Sequence, residues 1–264
     1  MSTKEDQTDQ TIFPVSYERY GQSNWTQFHS LAFAKSHTTA PIVISEIARA
    51  VIAFPFGFSR EVNSRMPTAL FGVEQANNLF ISPEGAWYGR YLPAFFRAYP
   101  FCVLPDAEGN EILCFDESSG LLNSTGEGWA FYESEETPSA RIKETIEFLD
   151  ELNKAHKLTR EICDQIEALN LLIPWEISVI NREGEKVVIN ALDRIDEEAL
   201  RGLKAEELKE LQSSGAIAII YSHLFSLQNL ELLERLIAFQ NSTQKPDLGF
   251  TLDDENSGEL NFDL

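Results

Sequence analysis

The sequence predicts an α+β protein: a β-rich N-terminal half with hairpins, a central long helix, then a hairpin and C-terminal helices. Three observations carry this expectation. Short apolar runs punctuated by proline and glycine fill the first half. One long helical pattern follows Thr137-Pro138. Acid-rich amphipathic segments occupy most of the last third.

The elements follow in order. Residues 1–11 (MSTKEDQTDQT) are polar and acidic, lack the apolar core of a signal peptide, and read as a disordered arm. From Ile12 to Cys114 the runs PIVISEI, AVIAFPF, TALFGV, NLFIS and EILCF read as strands, although SEIARAVIAF equally fits a short helix capped by Ser45. NLFISPEGAWYGRYL predicts a hairpin turning at Pro83-Glu84-Gly85, and PDAEGNEI a second one with Asp106 and Gly109-Asn110 as turn formers.

Residues 116–137 are rich in glycine, serine and acids and read as a long loop, either a linker or an insertion. The globular region, 12–239, is accordingly either one domain or two that divide there. Pro138 suits the first turn of the next helix. Its apolar face is expected to hold Ile142, Ile146, Leu149, Leu152, His156, Leu158, Ile162, Ile166 and Leu169. LIPWEISVINREGEKVVINALDRI predicts two strands about a turn at Glu183-Gly184, and IDEEALRGLKAEELKELQSSG short helices with a solvated acidic face. GAIAIIYSHLFSLQNLELLERLIAF reads as a brief buried strand leading into a final amphipathic helix. Residues 240–264 are polar and acidic, which marks a disordered tail.

Composition excludes some functions. Twenty-one basic against 42 acidic residues give a net charge of −21, the wrong sign for nucleic acid or an anionic membrane surface. The longest uncharged run, 215–230, falls short of the roughly 20 apolar residues of a membrane span, so a soluble chain is expected. Three cysteines without CxxC spacing predict no disulfide framework and a reducing compartment; Cys102 and Cys114 fall on the two sides of the second hairpin. The expected location is cytoplasmic. The alternative is export without an N-terminal signal, for which the acidic C-terminus resembles type I secretion signals.

No phosphate-binding glycine loop is present, and His29, His37, His156 and His223 lack zinc or facial-triad iron spacing, so neither metal nor cofactor is expected. His223, among apolar neighbours, is either a hydrogen-bonded core histidine or a proton-transferring group beside a pocket. Asp116, at a strand end, is either a turn former or a functional acid. GRYLPAFFRAYPF (89–101) places Arg90, Tyr91, Arg97 and Tyr99 in the most aromatic stretch of an acidic chain. Either its arginines meet internal acids, or they and the rings recognise an anionic or planar ligand. At the C-terminus, Leu260, Phe262 and Leu264 form a candidate docking motif.

Several strings together resemble the SapC family of bacterial proteins. They are FA at 33–34 with the proline-led apolar run after it, NLFISPEGAWYGRYLPAFFRAYPF, LCFDE, TPSARIKETIEFLDEL, LNLLIPWEI, IDEEALRGL and GAIAIIYSHLFSLQNLELL. The resemblance covers about residues 13–238 and implies a surface-layer or peptide-uptake association; it carries over no catalytic residue. The like-named membrane permease is a different protein. Two functions are therefore weighed. The first is a non-catalytic binding or accessory protein with a protein or peptide partner. The second is an enzyme whose pocket gathers Arg90, Arg97, Tyr99, Asp116 and His223.

Overall fold

A computed structural model describes residues 11–60, 65–73, 77–180 and 186–240. The predicted turn at Glu183-Gly184, and Leu260, Phe262 and Leu264 with the rest of the tail beyond Gln240, lie outside the described residues.

The chain opens with β1 (Ile12–Pro14), α1 (Tyr17–Tyr20), β2 (Asn24–Trp25) and β3 (Thr39–Pro41). Then come α2 (Ile47–Ala50), β4 (Phe56–Ser59), β5 (Pro67–Leu70) and α3 (Ala94–Arg97). The second predicted hairpin is β6 (Phe101–Pro105) and β7 (Glu111–Asp116). The Asp106 carboxylate accepts the amides of Glu108 and Asn110 across its turn, and Gly109 takes the left-handed φ of 87°. The hairpin at Pro83-Glu84-Gly85 narrows to one bridge, Ile81–Trp87, with Gly85 at φ 94°. The 116–137 stretch, expected as loop, contains β8 (Leu122–Asn123), β9 (Trp129–Ala130), β10 (Tyr132–Ser134) and β11 (Thr137–Pro138). Each is two or three residues long, too short to leave a periodic signature.

Ser139, not Pro138, begins the central helix: its Oγ accepts the Ile142 amide, and α4 runs Ala140–Ala168. At 29 residues it is about 44 Å long. Its buried face is Ile142, Thr145, Phe148, Leu149, Thr159, Ile162, Cys163 and Ile166, whereas Ile146 and Leu158 point to solvent. Two threonines enter the apolar face because each hydroxyl donates to the carbonyl one turn back, Thr145 to Arg141 and Thr159 to Ala155.

The C-terminal part holds β12 (Leu172–Ile180), β13 (Lys186–Ile195), α5 (Glu197–Arg201), α6 (Ala205–Ser214), α7 (Ala216–Ser226) and α8 (Leu230–Gln240). The strand expected at the start of GAIAIIYSHL is helix. A short apolar run has no period that separates a buried strand from a buried helix. Gly215, at φ 85°, ends α6 and lets α7 begin at once. The run Ala216–Phe239 is long and apolar enough, by length and composition, to cross a membrane, contrary to the expectation from its uncharged core alone. One side of it is buried in protein, at Ala216, Ile219, Ile220, His223, Ser226, Leu233, Leu236 and Ile237.

The contacts divide the chain into two compact units. The first joins the N-terminal residues up to His29 with Arg97–Glu151. It contains the antiparallel sheet β1-β7-β6 and the smaller sheets β8-β2-β9 and β10-β11. Its core is aromatic: Tyr20 stacks on Phe131 at 4.6 Å, and Phe101, Phe115 and Trp25 pack edge-on around them.

The second unit holds Ser30–Phe96 and the residues from Leu152 onward. Its antiparallel sheet has the order β12-β13-β4-β5-β3. Phe54, Phe56, Phe58, Phe71 and Phe80 are fully buried. Two acids are buried with them. Asp193 accepts from both Arg60 and Arg65, and Arg65 also reaches Glu167. Glu46 accepts the Tyr91 hydroxyl, the Ala94 amide and the Val43 amide, so Glu46 rather than Ser45 caps the turn before α2.

Candidate functional site: the outward face of α7

An exposed helix face in a soluble domain is ordinarily charged. α6 follows that rule with Glu206, Lys209 and Glu210 exposed, but α7 does not. Residues 215–230 contain no Lys, Arg, Asp or Glu, although the chain carries 63 such residues (21 basic plus 42 acidic). The outward stripe of α7 is Ala218, Tyr221 and Phe225, at i, i+3 and i+7, and Gln228 continues it in the 3-10 turn that follows. Phe225 is 63% exposed and Tyr221 46%, and their rings lie 6.3 Å apart. Beside the far end of α7, the Asn229 side-chain amide donates to the Val51 carbonyl at 2.9 Å, which fixes the turn that presents Ile52, 61% exposed. Ile52 and Phe225 are the two most exposed large apolar side chains among the described residues. Acids bracket the helix in sequence: Glu206, Glu207 and Glu210 before it, Glu231 and Glu234 after it. Glu206 and Glu210 also line an open depression of about 650 Å³ with Lys209, Gln165, Ser213 and Ser214.

The opposite face of α7 fixes which way the stripe faces. β13 pairs with β4 at Leu192–Ser59 and Asp193–Phe58, and the same register continued would bring Arg194 opposite Gly57 and then Ile195 opposite Phe56. The ladder stops before these pairs. His223 stands in the gap: the Ile195 amide donates to Nε2 at 3.3 Å, and Nδ1 lies 2.7 Å from the Phe56 carbonyl. One neutral tautomer, protonated on Nδ1, satisfies both strands. The Phe56 amide is taken by Ser226 Oγ at 3.2 Å, and that hydroxyl donates to the His223 carbonyl. Gly57 is required beside this gap, because a Cβ there would meet the Asp193 carbonyl at 2.8 Å and the Trp175 ring at 2.9 Å. Phe56, Phe58 and Trp175 surround the imidazole, and burial pushes its pKa down to about 4.

The sequence-predicted residues are distributed as follows. In the second unit, His223 is fully buried with both ring nitrogens engaged by backbone. Tyr91 donates to Glu46 at 2.7 Å under the Arg49 guanidinium, and Arg90 is exposed. In the first unit, Arg97 is buried with its guanidinium 5.3 Å from the Phe148 ring. Tyr99 is held above the usual tyrosine range by burial and by the nearby Asp116 charge. Asp116 accepts the Ser118 amide and hydroxyl, the geometry of a turn former. The neighbouring Glu117 makes the longer reach, to Arg19 and Tyr20, and the Arg19 guanidinium holds its carboxyl below the usual range.

Sequence reasoning missed Tyr221 and Phe225, in a run read as a brief buried strand leading into a helix, and Ile52, in a run read as either strand or short helix. The available signal was the lack of any charge at helical period around Ala218, Tyr221, Phe225 and Gln228. No group of three or more His, Cys, Asp or Glu among the described residues is arranged to hold a metal ion. Comparison with curated proteins and with solved structures finds no match. Residues 15–233 match the SapC family, and with that match spanning most of its length the chain belongs to the SapC family.

Proposed function

We propose that the protein is a non-catalytic binding protein that captures a partner protein on the outward face of α7. The carrying observation is the exposure of Phe225, 63%, on a helix face without charge, with Ile52, 61% exposed, on the turn that Asn229 ties beside the end of that helix. Apolar anchors of this kind, spaced at i, i+3 and i+7, suit an amphipathic segment laid against them. Acids at both ends of the helix and a net charge of −21 favour basic flanks on that segment over a second copy of this chain. The same acids disfavour an anionic lipid surface. His223 adds support, because its two nitrogens already bind backbone and the histidine serves to seat the helix.

A photo-crosslinking residue placed at Tyr221 or Phe225 in the native cells tests the proposal, with Lys143 on α4 as a control position. The expected result is one protein adduct, specific to the α7 positions and lost when Ile52 is changed to Glu. A homodimer adduct, or Phe225-dependent sedimentation of the purified protein with phosphatidylcholine vesicles, would overturn it.

A further inference from the structure

In the first unit, Cys102 on β6 and Cys114 on β7 are direct cross-strand partners, and both are free thiols. The register fixes their geometry. The Asp116 amide donates to the Pro100 carbonyl at 2.9 Å, and the Asp106 amide to the Asn110 carbonyl at 2.8 Å. Hydrogen-bonded pairs recur every second residue between those two, so 102–114 is one of them. Cα atoms of such a pair lie about 5.5 Å apart, inside the range of about 4.4–6.8 Å that a disulfide bridges. Opposed residues project from the same side of a sheet. Phe101 and Phe115 project from the other side into the aromatic core, so joining the sulfurs leaves that packing in place. Cys114 is buried, whereas Cys102 is partly exposed and is the sulfur an oxidant meets first.

We propose that Cys102 and Cys114 form a reversible dithiol–disulfide site that reacts with small-molecule disulfides, Cys102 as the attacking and Cys114 as the resolving sulfur. The Cys102 thiolate attacks one sulfur of the oxidant, forming a mixed disulfide and releasing one small thiolate. The Cys114 thiolate then attacks Cys102 Sγ, forming the Cys102–Cys114 bond and releasing the second small thiolate. The two electrons lost by the cysteines reduce the oxidant to two thiols, which take up the two protons. Burial holds the Cys102 thiol up at about 11 and raises that of Cys114 as well, so both rest as thiols at neutral pH and the thiolate attack is slow there. Cys163, buried in the second unit, has no part in the site.

The test is incubation of the native full-length protein with oxidised glutathione, acid quenching, alkylation under denaturing conditions and peptide mapping by mass spectrometry. The expected product is a peptide pair joined through Cys102 and Cys114, in excess over glutathionylated Cys102 by about tenfold because the second thiol acts intramolecularly. Cys163 remains alkylatable, and dithiothreitol restores both thiols. In Cys114→Ser the glutathione adduct on Cys102 persists instead. The proposal is overturned if the wild type retains glutathione on Cys102 as fully as Cys114→Ser does. It is also overturned if both thiols survive prolonged incubation unmodified. The cross-linked peptide pair and the survival of both thiols are read on wild-type protein alone, so these outcomes decide the proposal even where Cys114→Ser does not fold.

Discussion

Replacing His223 probes the junction that holds α7 to the sheet. In His223→Phe the ring volume is kept, but the Ile195 amide and the Phe56 carbonyl lose their partners in a fully buried position. Each orphaned buried group costs about 1–3 kcal/mol, so the variant loses about 2–6 kcal/mol, a large part of a typical domain's stability. His223→Gln keeps one donor and one acceptor and is expected to lose less. The histidine also leaves a pH signature with a definite sign. Its folded pKa lies near 4, below the ordinary 6.5, so above 6.5 neither folded nor unfolded chain carries the proton and stability is unaffected. As pH falls below 6.5 the unfolded chain is protonated first and stability declines, levelling off below 4. The loss is on the order of 1 kcal/mol at pH 5.5 and about 2–3 kcal/mol at pH 4.5, relative to pH 8. Urea unfolding of wild type and His223→Gln at pH 8, 5.5 and 4.5 isolates this contribution, since both proteins share every carboxylate. Equal pH slopes in the two proteins, or a cost below about 1 kcal/mol for His223→Phe, would refute the role assigned to the imidazole.

Two further predictions concern groups that the sequence did not single out. Glu46→Ala strands the Tyr91 hydroxyl and the Val43 and Ala94 amides, and is expected to cost on the order of 3–5 kcal/mol in chemical denaturation; near-wild-type stability would show that these donors find other partners. Arg19→Ala removes the cation that depresses Glu117, so the Glu117 pKa rises towards the ordinary glutamate value in an NMR titration. The wild-type pair supports the fold above the ordinary glutamate pKa, and that support fades as pH falls through the depressed folded value. Both side chains are partly exposed, so the effect on global stability is small.

The sequence by itself determined whatever local chemistry encodes. The turn of β6–β7 follows from Asp106 and Gly109, the long helix from its apolar period, and the acid-rich α5 and α6 from helical spacing and capping; Asp196 accepts the amides of Glu198 and Ala199 at the start of α5. The SapC family was legible too, because it lies in the order and spacing of strings along the chain. The tertiary structure alone decided where the partners are. Glu117 finds Arg19, Glu46 finds Tyr91, and His223 finds Phe56 and Ile195 only after strands distant in sequence are brought together. Above all, it decided which face of an uncharged helix is buried. Local periodicity cannot separate α7 from a buried strand, nor show that β13 stops pairing with β4 after Asp193. That stop creates the gap His223 fills, and filling it turns Tyr221 and Phe225 outward.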